Sequence, residues 1–238
     1  MPPRSLTQQS PPPEFLPGVL ESLRQHYLPT LPAPRRFAEP LSGVIRVILA
    51  QQNTRRVASR QWETLNTVYP RWEAALADGP DGIEATLRQA GGGLTRMKAD
   101  YIYGVLHALA ESRGELSLRF LRDLDDTGIR RTLESLPGVG MKTTSLVMLF
   151  DLLRPAMPVD SHIERWTKRL ELVPARWSAN RVEQWYDEAV PRDWETRYAL
   201  HLSGVDHGQE TCKSHKPLCA QCVLRQWCPS AAIFLLEE

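Results

Sequence analysis

The stretch Leu136-Pro137-Gly138-Val139-Gly140-Met141-Lys142-Thr143-Thr144 places a tight Pro-Gly-x-Gly turn directly before an apolar helical pattern. Such a turn leaves backbone N–H groups free at a helix N-terminus, where they can bind a phosphate. Gly138 and Gly140 allow a phosphate to approach the backbone closely, and Val139 can pack beneath the turn. Lys142 follows the turn, so its amine can lie beside a nucleic-acid backbone. For such a turn taken alone, a helix–helix connection that binds nothing is the alternative.

Helical periodicity continues on both sides of this turn. The predicted helices cover residues 18–27, 41–52, 54–69, 71–78, 82–90, 97–113, 117–122, 127–135, 141–153, 160–171, 178–189 and 192–205. Proline and glycine pairs such as Gly79-Pro80 separate them, and alternating runs typical of β-strands are absent. The sequence therefore predicts an all-α fold, preceded by a disordered, proline-rich extension over residues 1–17.

The composition leaves the class of partner open. The chain has 238 residues, of which 42% are apolar, so it can form one large domain or two small ones. Its net charge of +1 neither requires nor excludes a polyanion. Segments 41–60 and 211–228 contain basic but no acidic residues, and either one can be a nucleic-acid surface or simply a solvated basic face. No apolar run suits a membrane span or a signal region, so we expect a soluble protein of the cytoplasm or nucleoid without a membrane partner.

The four cysteines follow the spacing Cys-x6-Cys-x2-Cys-x5-Cys, at Cys212, Cys219, Cys222 and Cys228. Disulfides are disfavoured in a chain without a secretory signal. A structural zinc site usually has two Cys-x2-Cys pairs, and only one such pair is present. A [4Fe–4S] cluster needs four thiolates around one compact object, which a loop with uneven gaps can supply. The spacing favours the cluster and leaves zinc open.

Three motifs in this order resemble the endonuclease III family of helix-hairpin-helix DNA glycosylases. They are Leu136–Lys142, Val159–His162 and the cysteine ladder, and the resemblance covers roughly residues 38–229. It implies two helical domains that flank a DNA-binding groove, with the four cysteines binding [4Fe–4S] in a C-terminal loop. The expected domains are a helical barrel over 41–153 and a cluster domain built from 18–40 and 154–238.

The resemblance also implies the chemistry of Lys142 and Asp160, which lie on opposite walls of the expected groove. Lys142 would attack the sugar of a damaged nucleotide and form a Schiff base, and β-elimination would then nick the strand. We expect burial and the positive end of a helix to favour its neutral amine. Asp160 would help to deprotonate Lys142 and stabilise positive charge on the sugar. The alternatives are an exposed lysine at a helix start and a simple N-cap aspartate.

Five further residues are predicted to contact DNA. A base inside a duplex must be flipped out before it can be attacked, and the family fills the hole with a polar and an apolar side chain. Gln52 and Leu94 match those positions, although Gln52 can also be an ordinary residue at a helix end. Lys213 and Lys216 suit a preformed basic loop that contacts phosphates. His162 either contacts DNA and orients Asp160, or is a core histidine with satisfied hydrogen bonds.

The predicted function is that of a bifunctional DNA glycosylase and abasic-site lyase that removes oxidised pyrimidines from duplex DNA, acting as a monomer. One rival is a monofunctional relative specific for adenine or mismatched thymine, and Lys142 argues against it because those relatives lack the lysine. Another rival is a non-catalytic, cluster-bearing DNA-binding protein. Arg55, Met141 and the run Gly91–Gly93 depart from the family pattern, so the preferred lesion is left open.

Overall fold

The computed structural model describes residues 12–34 and 39–236. Within those ranges the chain forms eleven α-helices and three short 3₁₀ helices, and no β-strand. The all-α prediction is therefore confirmed, and no described helix is long and apolar enough to cross a membrane. The α-helices are α1 (Leu16–Tyr27), α2 (Pro40–Ala50), α3 (Arg55–Val68), α4 (Trp72–Ala90), α5 (Thr95–Arg113), α6 (Asp126–Glu134), α7 (Met141–Phe150), α8 (Ser161–Arg169), α9 (Ala179–Ala189), α10 (Trp194–Glu210) and α11 (Pro229–Leu236).

The chain folds into two compact units. Among the described residues, the first comprises 12–33 and 155–236, and the second comprises 34 and 39–154. We call them the discontinuous unit and the inserted unit.

The inserted unit is organised around α2, which packs against α3, α5 and α7. Its apolar residues recur at the i, i+3, i+4 spacing of one helix face, so a single stripe faces the core. Each of these side chains is fully buried, which stabilises the fold by about 1.5–3 kcal/mol per residue. They are Leu41, Val44, Ile45, Ile48 and Leu49.

Several helix ends in the inserted unit differ from prediction for local reasons. α2 ends at Ala50 because Gln52 has a left-handed φ of 52°, and α7 ends at Phe150 before Leu153, whose φ is also 52°. The predicted break at Gly79-Pro80 is a kink within α4, where Gly79 has φ 74° and ψ −177°. The predicted helix 117–122 is a 3₁₀ helix over Arg119–Asp123.

The discontinuous unit is built from α1 and α8 to α11. α10 packs against α1 and α8, and α8 also contacts α9. The core contains large aromatic side chains, among them Trp166 of α8 and Tyr186 of α9, whose rings meet edge to face. α10 runs further than predicted, to Glu210, and α11 was not predicted.

The first described helix corrects the predicted extension. α1 begins at Leu16, because Pro17 lies in the first turn, where a missing N–H costs no helical hydrogen bond. Residues 16 and 17 are thus helical, although they fall within the extension predicted over 1–17. Residues 1–11 of that extension, and residues 35–38 of the predicted segment 18–40, lie outside the described residues.

Candidate functional site

The turn 137–140 joins α6 to α7, so the Pro-Gly-x-Gly motif forms a helix–hairpin–helix. Val139 is buried beneath the turn, and its N–H donates to Leu136 O at 3.2 Å. Gly138 has φ 74°, and a Cβ there would lie 2.4 Å from the ring of Tyr101. A Cβ on Gly140 would meet nothing within 4 Å. The first glycine is therefore required by the fold, whereas the second leaves open space in front of the backbone.

The N-terminus of α7 is left uncapped by the protein itself. Its N-cap residue is Gly140, which has no side chain to accept hydrogen bonds from the first-turn amides. The amides of Met141 and Lys142 thus remain available to an outside acceptor, and the helix dipole favours an anion at this position. These features fit a phosphate-binding turn.

Lys142 lies in the first turn of α7 and is exposed. Within the described ranges its ammonium group has no hydrogen bond or ion pair. The expected burial of its amine is therefore not found.

Asp160 is half-buried and forms the N-cap of α8. Its Oδ1 accepts hydrogen bonds from the backbone N–H groups of His162 and Ile163, both at 2.9 Å. Its Oδ2 has no hydrogen-bond partner in the described part of the chain. One oxygen therefore caps the helix while the other can face a substrate.

The ring of His162 is held by Arg165 and makes no hydrogen bond to the carboxylate of Asp160. Arg165 Nη2 lies 3.1 Å from His162 Nδ1 and 2.7 Å from Gly208 O. Because arginine can only donate, Nδ1 must accept and the neutral ring carries its proton on Nε2. A Cβ on Gly208 would lie 2.5 Å from His162 Cβ, so α8 and α10 pack closely at this point.

Gln52 and Leu94 occupy two loops of the inserted unit and share one backbone conformation. Both are exposed, with left-handed φ values of 52° and 57°. Such a φ is uncommon for residues other than glycine and marks strain that the surroundings must hold. The neighbouring Gln51 donates from Nε2 to Gly138 O at 3.1 Å, which ties the Gln52 turn to the hairpin. Sequence reasoning missed Gln51, for which the doubled glutamine is the only sequence signal.

Arg55, which departs from the family pattern, lies at the edge of a basic cleft. It is the first residue of α3, where Thr54 Oγ1 caps the helix by accepting from Val57 N at 3.4 Å. It lines an open cleft with Arg46 and Trp62, and the guanidinium of Arg46 lies 5.3 Å from the centre of the Trp62 ring. The cleft carries positive charge beside the Gln52 turn.

The four cysteines line a single small cavity. Cys212 and Cys219 are buried, and Arg169 Nη1 donates to Cys212 Sγ at 3.3 Å. Burial raises the pKa of the Cys222 thiol to about 11 and also raises that of Cys228, and the neighbouring thiols add to both effects. A positively charged group bound in the cavity would be needed to keep these thiols ionised.

These residues fit an iron–sulfur cluster. Thiolates are soft ligands that suit iron–sulfur clusters and zinc. In residues 12–34 and 39–236, no three or more His, Cys, Asp and Glu side chains gather closely enough to hold a metal ion. All four cysteines line the same space, which suits ligands of one shared inorganic core.

The loop between Cys212 and Cys219 presents Lys213 and Lys216 to solvent. Arg169 donates to Lys213 O at 2.7 Å and to Ser214 O at 3.1 Å. Leu218 N closes the loop by donating to Thr211 O at 2.9 Å. The loop is therefore held in shape by the protein, with both lysines on its surface.

Sequence relatives of the chain include endonucleases III from several organisms and a putative DNA glycosylase from Arabidopsis thaliana, although no family model matches the chain. The Bacillus subtilis enzyme is 32% identical over 192 residues, which cover 80% of this chain and 81% of that protein. The Sulfolobus acidocaldarius enzyme is 31% identical over 189 residues, which cover 78% and 79%. A relative from Arabidopsis thaliana is 30% identical over 177 residues, and the chain spans 59% of that relative's length.

Solved structures agree with the sequence relatives. The protein of a non-covalent endonuclease III–DNA complex aligns with a TM-score of 0.76 and 26% identity, covering 92% of this chain and 96% of that one. A thermostable thymine-DNA glycosylase aligns with a TM-score of 0.74 at 18% identity, which is a likeness of fold alone. Together with the identity to the Bacillus subtilis enzyme over most of both proteins, these likenesses show that the chain belongs to the endonuclease III family of DNA glycosylases.

Proposed function

We propose that the chain is a bifunctional DNA glycosylase and abasic-site lyase that acts on oxidised pyrimidines in duplex DNA. The observation that carries this proposal is the position of Lys142, an exposed amine in the uncapped first turn of α7, directly after the hairpin. The free amides of the same turn would bind a phosphate of the DNA strand. The amine would then lie close to a sugar of that strand.

In the proposed reaction, the neutral Nζ of Lys142 attacks C1′ of the damaged nucleotide. The bond between C1′ and the base breaks, and the base leaves with a proton from solvent. Opening of the sugar ring gives a Schiff base between C1′ and Nζ. Loss of a proton from C2′ then expels the 3′ phosphate and cuts the strand, and water releases the lysine.

Asp160 supports this reaction through the oxygen that does not cap α8. Oδ2 would accept the proton that Lys142 must lose and would face the positive charge that develops on the sugar. Since Oδ1 is already held by two backbone amides, the carboxylate is fixed in orientation before substrate binds. Preorganised charge of this kind costs no reorganisation during the reaction.

DNA binding is proposed to involve residues of both units. Gly138, Val139 and Gly140 would hold a backbone phosphate, and Lys213 and Lys216 would contact other phosphates. Gln52 and Leu94 would fill the space left by the flipped base. His162 is proposed to stay in a supporting role, since Arg165 holds its ring.

The cofactor is proposed to be a [4Fe–4S] cluster on Cys212, Cys219, Cys222 and Cys228. Such a cluster would cross-link the segment after α10 and hold the basic loop in place, without entering the bond-breaking steps. Purified protein should be yellow-brown and contain four iron and four sulfide per chain. Colourless protein with one zinc per chain would contradict the cluster.

The test of the activity is borohydride trapping on duplexes that contain an abasic site or thymine glycol. Wild type should form a covalent complex and cut the strand, and Lys142→Ala should do neither. Arg131→Ala is the matched control, because it removes one positive charge from the exposed surface of α6 in the same unit. A wild type that fails to trap, or a Lys142→Ala variant that traps fully, would contradict the proposal.

The same experiment separates the rival functions. A monofunctional glycosylase would release the base but leave the abasic strand intact and untrapped. A non-catalytic DNA-binding protein would retard the abasic duplex in a gel and release it unchanged. A panel of oxidised pyrimidines, 8-oxoguanine–adenine pairs and thymine–guanine mismatches would then identify the preferred substrate.

A further inference from the structure

The two loops that carry Gln52 and Leu94 are joined by a polar network. We call the first the glutamine turn, residues 51–53, and the second the glycine loop, residues 91–94. Asn53 Oδ1 accepts a hydrogen bond from Gly93 N at 3.3 Å. Gln61 Nε2 donates to Gly91 O at 2.8 Å. The glycine loop is therefore held by two side chains from outside it, Asn53 of the glutamine turn and Gln61 of α3.

The two amide side chains also bind each other. Asn53 Nδ2 donates to Gln61 Oε1 at 2.9 Å and to Leu49 O at 2.9 Å. Gln61 is fully buried on α3, so its amide group has a fixed position. Asn53 and Gln61 use four hydrogen bonds to connect the end of α2, the middle of α3 and the glycine loop. We call this pair the loop clamp.

A buried lysine binds the same backbone carbonyl as Asn53. Lys98 of α5 is fully buried, and its Nζ donates to Leu49 O at 2.9 Å, so this carbonyl accepts from both Lys98 and Asn53. Burial lowers the pKa of Lys98. The positive end of this side chain lies at the C-terminus of α2, where the helix dipole favours a cation.

The glycine loop passes so close to α3 that only glycine fits. Gly92 has φ 105°, and a Cβ there would lie 2.5 Å from Val57 Cγ1 and 2.9 Å from Gln61 Nε2. The extra glycines, which depart from the family pattern, thus bring the loop into hydrogen-bonding range of the clamp.

The clamp accounts for the strained backbone on both sides of it. Gln52 and Leu94 both have left-handed φ values, and non-glycine residues keep that conformation only when their surroundings enforce it. Asn53 directly follows Gln52, and Gly93 directly precedes Leu94. The hydrogen bond between Asn53 and Gly93 therefore joins the two strained positions.

We propose that Asn53 and Gln61 are positioning residues that lock the glutamine turn and the glycine loop together, so that Gln52 and Leu94 enter the DNA as one preformed wedge. The proposal rests on the proposed function, because it assigns both side chains to the space of a flipped base. Flipping a paired base costs more than flipping an unpaired one. A loose wedge should therefore slow reaction at a paired lesion much more than at an unpaired lesion.

The kinetic test compares one thymine glycol in a full duplex with the same lesion in a one-base bulge, in single turnover. Gln61→Met and Asn53→Ala should each lower the rate on the paired lesion by about five- to tenfold, the size expected for one or two lost hydrogen bonds. The rate on the bulged lesion should change by less than about twofold. Equal losses on both substrates, or no loss on either, would overturn the proposal.

The matched controls are Gln89→Met on α4 and Asn66→Ala on α3. Both residues are exposed, and Asn66 Nδ2 donates to Trp62 O at 2.7 Å on its own helix. Both controls should react like wild type on both substrates. Asn53→Ala is the second clamp variant because Asn53 is only half-buried, so its loss leaves no hole in the core.

A second measurement does not depend on activity. Hydrogen–deuterium exchange of the free protein should show faster exchange of residues 91–94 in both clamp variants, by about five- to tenfold, and unchanged exchange in both controls. Unchanged exchange in the clamp variants would overturn the clamp. If wild type is inactive on both substrates, the proposed function fails, and this measurement still decides whether the loops are locked.

Discussion

The N-termini of α7 and α8 carry the two proposed catalytic residues and differ in how their amides are satisfied. The N-cap residue of α7 is Gly140, which has no side chain to cap the helix, and Lys142 is exposed in the first turn. The N-cap residue of α8 is Asp160, whose carboxylate accepts from two backbone amides of the first turn. The first helix start is open to an outside anion, and the second supplies its own. A helix N-terminus can thus bind a substrate or fix a catalytic side chain, depending on its cap residue.

The largest expected effect separates the two tasks of Asp160. Asp160→Asn should keep the cap, since asparagine caps helices about as well as aspartate, but it removes the negative charge. We expect the single-turnover rate to fall about 10²–10³-fold, as when one preorganised charge-stabilising group is lost. The melting temperature should stay close to that of wild type.

Asp160→Ala is the control for this prediction. Its single-turnover rate should fall by the same factor as that of Asp160→Asn. It should also lose about 1 kcal/mol of stability, because the cap is lost as well. A rate close to wild type for Asp160→Asn would mean that Asp160 is only a cap.

The opposite end of α7 provides the next effect. Asp151 is buried at the C-cap of α7, and its Oδ1 has no hydrogen bond among residues 12–34 and 39–236. Burial raises its pKa to about 7, against the attraction of Arg46 and Arg122. The folded state therefore holds this proton more tightly than the unfolded state, whose pKa is near 3.8. Stability contributed by Asp151 is full below pH 4 and is lost as the pH rises to about 7, by an amount on the order of 1–4 kcal/mol.

Asp151→Asn should remove this loss. Melting temperatures of wild type and variant, measured from pH 4 to pH 8, should diverge with rising pH, and the variant should be more stable at pH 8. Asp123→Asn is the control, since Asp123 is exposed. Parallel pH profiles for wild type and Asp151→Asn would contradict the assignment.

The two hairpin glycines should respond differently to a single added methyl group. Gly138→Ala should cost about 1–3 kcal/mol, because φ is 74° and the ring of Tyr101 must move. Gly140→Ala should leave the melting temperature nearly unchanged, because φ is −100° and nothing lies within 4 Å of its Cβ. Thermal unfolding of both variants checks this, and equal losses would show that the hairpin does not distinguish the two positions.

The smallest effect is expected from giving α7 a side-chain cap like that of α8. Gly140→Ser would supply a cap hydroxyl, and we expect a gain of about a few tenths of a kcal/mol in stability. The same hydroxyl would compete for the amides proposed to bind phosphate, so affinity for an abasic duplex should fall severalfold while the trapped fraction at saturation is kept. Tighter DNA binding by the variant would contradict a phosphate site at this turn.

Local patterns in the sequence predicted the helices and the motifs. The stripe from Leu41 to Leu49 follows helical spacing, and the hairpin and cysteine ladder are defined by short separations. The ends of α2 and α7 were predicted too late, because left-handed residues at Gln52 and Leu153 are not marked by glycine. The exposure of Lys142 also depends on packing that no local pattern records.

Interactions between distant residues could not be predicted from one sequence. The hydrogen bond from Gln51 to Gly138 spans 87 positions, and that from Gln61 to Gly91 spans 30. A glutamine on a helix gives no sign of a distant carbonyl partner. The loop clamp became visible only when the loops were placed in space.

Because the discontinuous unit is formed from two segments that flank the inserted unit, the order of synthesis affects the order of folding. α1 packs on α10, and Tyr27 Oη bonds Thr211 Oγ1 at 2.7 Å across 184 positions. The inserted unit lies between these partners, so a ribosome can release all of it before α10 exists. Domains generally fold as units as they emerge, N-terminal parts first. Here α1 cannot pack against α10, and Val19 and Leu23 stay uncovered, until α10 has been synthesised.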